Sequence, residues 1–369
     1  MTGVSGEQLT FCPEWAERLV AWYERQGRDL PWRRDTDPYR VWVSEIMLQQ
    51  TRIEAALEHY RRFMQALPTV ADLAAVEEDA LLKLWEGLGY YSRARNLKKA
   101  ACVVMEQYDG QLPASYDALL ALPGIGEYTA GAIASISFGI PVPAVDGNVL
   151  RVLARLTASR QDVLRPAVKK EFTRLAARMV PSQKPGVFNQ AIMELGETVC
   201  LPHAAPECGR CPLADLCEAC RLGCAGELPV RSPKKERRVE HRCVLVVLRQ
   251  EKGMRQVLLA KRPAQGLLAG LWELPSLEGS PSGENVRRYA ASWLGGRIKR
   301  LQPLGPALHL FSHIEWKMQG VCLWVDGGRV PSGCVWAELC ELETVYALPS
   351  AFSAYTRQIG ELAKQEDGR

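Results

Sequence analysis

Three groups of residues in this 369-residue chain have the types and spacing to do chemistry: Glu45 among apolar residues, Asp146 ahead of a periodic helix, and cysteines crowded between Cys200 and Cys224. The stretch DPYRVWVSEIMLQQT predicts a helix opened by Asp37 as N-cap with Pro38 in the first turn. Tyr39, Trp42, Val43, Ile46 and Met47 form its core stripe, and Glu45 lies off that stripe beside Val41 and Leu48. A glutamate off the stripe is ordinarily solvated. Two apolar neighbours imply a sheltered flank instead, where burial raises a carboxyl pKa until the group can donate a proton. Asp146, in PAVDGNVLRVLARL, stands where a helix N-terminus favours the ionised form, and a plain cap is the bland reading of the same position. One neutral acid and one carboxylate are what hydrolysis of a glycosidic bond requires, with Asn148 near enough in sequence to orient the aspartate or a water.

Cys200, Cys208, Cys211 and Cys217 follow a C-x7-C-x2-C-x5-C pattern, compact enough for four thiolates to meet at one centre. The spacing suits zinc or a cubane iron-sulfur centre, and buried free thiols are the bland alternative. Cys208, Cys211, Cys217 and Cys220 form a second possible tetrad. The N-terminus MTGVSGEQLT lacks a basic and apolar leader, and no apolar run reaches the roughly 20 residues a bilayer needs. The expectation is therefore a cytosolic protein whose cysteines ligate metal rather than pair. A net charge of +4 points only weakly to a polyanionic partner.

SYDALLALPGIGEYTAGAIASISF predicts a short helix, a Leu-Pro-Gly-Ile-Gly turn and a second helix beginning near Glu127. In such a helix-hairpin-helix, Gly124 and Gly126 let the backbone approach a ligand, and free N–H groups at the new helix start favour a DNA phosphate. The bland reading is an αα-turn closed by Pro and Gly.

The elements that must position these residues fall into two kinds. From Pro13 to about Leu222 apolar residues recur every three or four positions, which predicts an all-α domain over 1–229. LPVRSPKKERRVEHR reads as a polar linker, placed at 230–240. Over 241–369, RCVLVVLRQEKGMRQVLLAKRP and HLFSHIEWKMQGVCLWV each predict two strands and GENVRRYAASWL a helix, giving an α+β domain.

VSEIMLQQT, LPGIGEYTAGA, VDGNV, the cysteines and FSH occur together, and on them the chain resembles the MutY family of adenine DNA glycosylases over almost its whole length. The resemblance implies a multidomain protein: an all-α helix-hairpin-helix glycosylase domain with a 4Fe-4S loop, followed by an α+β Nudix-like domain. Within the first domain it implies a six-helix module over about 30–140 and an iron-sulfur module from the N-terminal helix plus about 141–229. The family's cysteine spacing is C-x6-C-x2-C-x5-C, so this chain carries one extra residue after Cys200. The catalytic acid maps to Glu45, the catalytic aspartate to Asp146, and the active-site tyrosine and asparagine to Tyr128 and Asn148. Tyr128 stands where related lyases carry a lysine, and a phenol forms no imine, so base removal without lysine-driven strand cleavage is expected. Trp32, Arg33, Leu48 and Glu194 are expected in the adenine pocket, and Gln50, Thr51 and Tyr90 in the opened DNA stack.

In the second domain, R-Y-A-A-S-W-L-G from Arg288 to Gly295 replaces the acidic R-E-x-x-E-E-x-G helix of Nudix hydrolases, so pyrophosphatase activity is disfavoured. Phe311, Ser312 and His313 resemble the loop that reads 8-oxoguanine on the opposite strand, where oxidation turns N7 from acceptor to donor. The expected substrate is double-stranded DNA holding an 8-oxoguanine:adenine or guanine:adenine mispair, met by a cytoplasmic, nucleoid-associated monomer. Two rivals share parts of the pattern. One is an endonuclease III-like glycosylase/lyase, and the other is a non-catalytic DNA-binding module with structural zinc.

Overall fold

A computed structural model describes residues 12–202, 204–233 and 236–364. Among the described residues, eleven α-helices precede the cysteine loop: α1 Glu14–Gln26, α2 Pro38–Leu48, α3 Ile53–Ala66, α4 Val70–Ala75, α5 Glu78–Leu84, α6 Ser92–Gln107, α7 Tyr116–Leu120, α8 Glu127–Phe138, α9 Gly147–Leu156, α10 Pro166–Met179 and α11 Pro185–Thr198. A short helix, α12 (Glu218–Arg221), lies within that loop. No helix among the described residues is long and apolar enough to cross a membrane.

Local chemistry sets the helix starts that matter. The Asp37 carboxylate accepts a hydrogen bond from Arg40 N at 2.9 Å and Pro38 opens α2, as the sequence predicts. Ser115 caps α7. Asp146 Oδ1 accepts from Asn148 N (2.9 Å) and Val149 N (2.8 Å) at the start of α9. α2 departs from a one-stripe helix, because Val41, Ser44 and Glu45 are buried along with the expected stripe. It packs against both α3 and α8, so two faces are covered.

The chain forms two compact units, one of residues 1–75 with 96–233 and the other of residues 76–95 with 234–369. In the first, α11 packs against α1, α8 and α9. Trp15, Leu19 and Trp22 of α1 share a core with Leu153 of α9, Phe172 of α10, Phe188 and Leu195 of α11, and Leu213 of the cysteine loop. Each such side chain stabilises the fold by about 1.5–3 kcal/mol on burial. Glycine is required where backbones meet: a Cβ at Gly131 of α8 would sit 2.2 Å from the Pro143 carbonyl oxygen just upstream of Asp146.

The second unit is built on a sheet of β1 Arg238–Glu251, β2 Met254–Lys261, β3 Trp272–Glu273, β4 Ser276–Glu278, β5 Arg297–Leu310, β6 Ile314–Asp326 and β7 Cys334–Glu338. The order is β3-β2-β1-β6-β5, with β4 paired to β1 and β7 to β2; β1 and β6 run parallel. β1 therefore begins at Arg238, inside the stretch read from sequence as linker, while Lys234 and Lys235 of that stretch lie outside the described residues. The β1–β2 hairpin turns at Lys252 and Gly253, both at positive φ (50° and 81°), the geometry a two-residue hairpin loop needs. β1 is apolar and buried from Cys243 to Leu248 because both faces are covered there. Val244, Val246 and Leu248 pack with Trp316, Phe352 and Tyr355. Cys243, Leu245 and Val247 pack with Val286, Ala290 and Leu294 of α13 (Gly283–Leu294), the helix read from sequence.

Candidate active site

α2 carries Glu45 inward, with 7% of its surface exposed. The Tyr128 hydroxyl, in the first turn of α8, donates a short hydrogen bond to Glu45 Oε2 and lies 3.2 Å from Met193 Sδ. Burial raises the Glu45 carboxyl to about 7; the Tyr128 hydrogen bond pulls it down and the Asp146 charge pushes it up. Tyr128 itself is pushed well above its usual range, chiefly by burial and by the neighbouring carboxylates, so it stays a hydrogen-bond donor.

Asp146, half-buried at the start of α9, opens onto the same cavity. Burial raises its carboxyl against the opposing pull of the Val149 and Asn148 N–H groups, so the helix terminus moderates a rise rather than fixing the ionised state alone. Asn148 Nδ2 donates to Asp146 Oδ2 at 2.8 Å. Arg151, one turn further along α9, donates from Nη2 to Asn148 Oδ1 (2.8 Å) and to Gly196 O (2.8 Å), and from Nε to Cys200 O (2.8 Å). The amide of Asn148 is thus fixed on both sides. Gly196 leaves room for this, since a Cβ there would approach Asn148 Cβ to 2.7 Å.

Glu45, Tyr128, Asp146 and Asn148 line one cavity of about 660 Å³, together with Trp32, Arg33, Leu48, Gln50 and Gly126. Glu194, expected in the pocket, is not on its wall. It lies behind Arg33, 1% exposed, with Arg28 Nε on Oε1 at 2.6 Å and Arg33 Nη2 on Oε2 at 2.9 Å. Burial alone would raise this carboxyl, but the two guanidiniums hold it below the usual range, so it is an anchor for Arg33 rather than an acid. Thr51 is also off the wall; its N–H is bonded to Leu48 O, which closes the end of α2. Gly124 (φ +76°) shapes the hairpin, and a Cβ on it would meet Asn96 Cβ at 2.5 Å.

Sequence reasoning missed Arg28, Arg151, Gln49, Lys169, Gln190, Met193 and Glu197; the last five line the cavity. Arg151 alone carried a signal, a charge inside the apolar periodicity of α9 three residues after Asn148.

In the second unit, Phe311, Ser312 and His313 turn the chain from β5 to β6, closed by Phe311 N on Ile314 O at 2.8 Å. The Phe311 ring packs edge-on against Trp316 with centroids 4.9 Å apart, while Ser312 and His313 stay exposed with Ser312 Oγ 3.0 Å from His313 Nδ1. Tyr90, in the segment before α6, is 49% exposed.

Cys200, Cys208, Cys211, Cys217 and Cys220 line one small hollow with Arg155, Val199, Pro206, Ala214 and Ala225. Arg155 Nη1 is 3.1 Å from Cys200 Sγ, and Leu213 N donates to Cys211 Sγ at 3.4 Å. Such donors favour thiolate sulfur. As free thiols Cys211 and Cys217 are pushed up to about 12 and about 11 by burial, so ligation must release protons. Among the described residues no group of His, Cys, Asp or Glu side chains is placed to hold a single metal ion.

Residues 43–178 match the family model of the HhH-GPD superfamily of base excision DNA repair proteins, and residues 243–358 match the NUDIX domain model. Adenine DNA glycosylase of Mus musculus is 37% identical over 91% of this chain and 77% of its own length. That of Homo sapiens is 38% identical over 92% and 73%. Among solved structures, a thermostable thymine-DNA glycosylase superposes with a TM-score of 0.52 at 28% identity, covering 57% of this chain and 96% of that one.

Proposed function

The chain belongs to the adenine DNA glycosylase family, and on that premise we propose that its cavity hydrolyses the N-glycosidic bond of adenine mispaired with 8-oxoguanine in double-stranded DNA. One observation carries the mechanism: a buried carboxyl raised to about 7 and a second carboxylate, capping α9, line the same cavity. Glu45 delivers its proton to a ring nitrogen of the extrahelical adenine, so the base departs neutral as the bond to the sugar breaks. Asp146, ionised, faces the oxocarbenium-like sugar left behind. Water adds its hydroxyl to the anomeric carbon and gives its remaining proton to a carboxylate, which leaves an abasic site and free adenine. Tyr128 orients Glu45; Asn148, fixed by Arg151, orients Asp146.

Trp32, Arg33 and Leu48 enclose the base, and Glu194 holds Arg33 in place from behind. Gly124 and Gly126 bring the hairpin backbone to a phosphate, while Gln50, Thr51 and Tyr90 occupy the opened stack. Phe311 anchors the turn that presents Ser312 and His313 to the oxidised purine edge.

A 4Fe-4S cluster would be held by Cys200, Cys208, Cys211 and Cys217, which line one hollow with Cys220 and have hydrogen-bond donors beside two of their sulfurs. When bound, such a cluster clips a loop that has little core of its own to the domain.

Product analysis of a duplex with adenine opposite 8-oxoguanine tests the reading. Free adenine with strand breaks only after alkali is expected. Intact base overturns the assignment. Breaks without alkali point to an amine, and Lys169 lies on the cavity wall.

A further inference from the structure

The backbone before α6 is strained at the residue it displays. Gly87 (φ 97°), Gly89 (φ 68°) and Tyr90 (φ 46°) all sit in the left-handed region, which a bulky side chain such as tyrosine rarely enters. Trp85 and Leu88 are buried beneath the turn, while Tyr90 projects with 49% of its surface exposed. A loop free to relax would lower this cost by turning the ring back towards the apolar surface.

Two side chains oppose that relaxation, Arg93 foremost. Arg93, in the first turn of α6, donates from Nη2 to Leu88 O at 2.9 Å and Gly89 O at 3.0 Å. Its guanidinium lies over two rings, 5.4 Å from the Trp85 centroid and 5.7 Å from that of Tyr90. Trp85 Nε1 donates to the same Gly89 carbonyl at 3.2 Å. The turn is therefore pinned from below and from the side, with the Tyr90 ring resting on a cation. Burial lowers the Arg93 guanidinium to about 10, which leaves it charged at neutral pH.

The stretch leading into this turn is equally fixed within its unit. Lys83 Nζ donates to Leu342 O (2.9 Å) and Tyr346 O (3.1 Å), Lys261 Nζ pairs with Asp79 at 2.8 Å, and Leu348 N donates to Glu86 Oε1 at 2.7 Å. α5 and the turn after it are thus built onto the C-terminal sheet unit.

We propose that Arg93 is the positioning residue that holds Tyr90 outward as a preformed wedge, so that the loop needs no rearrangement when the ring enters the DNA stack. This rests on the reading that Tyr90 enters that stack. Arg93 touches neither the base nor the sugar; it acts through the conformation of Tyr90. A preorganised wedge removes the penalty of a binding-competent state that is only partly populated.

The test uses the full-length protein and a duplex with fluorescent 2-aminopurine in place of the adenine opposite 8-oxoguanine. Brightening at saturating protein reports unstacking apart from affinity. Arg93→Met is expected to lower the stacked-to-open equilibrium about tenfold, Tyr90→Ala to do the same, and Arg93→Lys, which keeps the cation but not the two-carbonyl fork, to fall between. If Tyr90→Ala dims the signal while Arg93→Met matches wild type, the inference is overturned and the wedge reading stands. If Tyr90→Ala brightens like wild type, the wedge reading itself fails and takes the inference with it. Should Arg93→Met not fold, Arg93→Lys decides: wild-type brightening overturns the proposal, and reduced brightening with an unchanged melting temperature supports it.

Discussion

Replacing Tyr128 by Phe removes one hydroxyl from the cavity and should move the pH dependence of base excision in a defined direction. The Tyr128 hydroxyl donates to Glu45, and a donor stabilises a carboxylate more than a carboxylic acid. Glu45 sits at about 7 in the intact site because burial outweighs that donation. Without the donor, only burial and the Asp146 charge remain as the main influences, and both push upward. A hydrogen bond to a charged group contributes about 1.5–3 kcal/mol, and about 1.4 kcal/mol corresponds to one pKa unit. Allowing for partial rehydration by water in the vacated space, the rise should be about one unit. If protonated Glu45 is the form that reacts, the single-turnover rate holds below the Glu45 pKa and falls about tenfold per pH unit above it. Tyr128→Phe must then shift the falling limb from near pH 7 to near pH 8, whatever it does to the plateau. A limb that stays in place or moves to lower pH refutes the assignment of Glu45 as the acid controlled by Tyr128.

Further outcomes follow from the same geometry. The folded protein binds a proton at Glu45 more tightly than the unfolded chain does, so the stability tied to this group is greatest in acid and is lost as pH rises from about 4.5 through about 7. Glu45→Gln should abolish excision yet gain about 3 kcal/mol over wild type between acid and pH 8, read from urea melts; a constant gap between the two proteins contradicts the burial account. Arg151→Met removes the donor to Asn148 Oδ1 along with the bonds to Gly196 O and Cys200 O, and the loss of the Asn148 bond should slow single-turnover excision about tenfold or more. An unchanged rate removes Arg151 from the positioning chain. Replacing Ser312 and His313 together by Ala should narrow the preference for 8-oxoguanine over guanine about tenfold in competition assays, and an unaltered ratio counts against the lesion-reading role. Cys200→Ser should lower the visible absorption of purified protein while Cys220→Ser keeps it; the reverse result selects the tetrad that contains Cys220.

How far each feature was legible depends on the range of the interactions behind it. Asp37 and Asp146 as caps, the hairpin glycines, the Lys252-Gly253 turn and the span of α13 follow from contacts within a few residues, and those are written into neighbouring positions. The motif spacing likewise carried the two carboxylates and the cysteines. Even the shelter of Glu45 was foreshadowed by Val41 and Leu48, although nothing local showed that α2 would be covered on two faces.

What the sequence by itself determined is therefore which residues could react and which turns would present them. Only the tertiary structure decided how they react. Glu45 and Tyr128 are 83 residues apart, Arg28 and Glu194 are 166 apart, and Arg151 reaches Cys200 across 49. A pKa is set by the water removed and the charges brought near, and both are supplied by chain segments whose meeting no local pattern records. The same holds for Glu194, which by type and motif belongs in the pocket and by packing stands behind it, spending its charge on two arginines. Tertiary packing alone grouped α5 and the Tyr90 turn with the C-terminal sheet, because the bonds that do so join residues more than 170 positions apart.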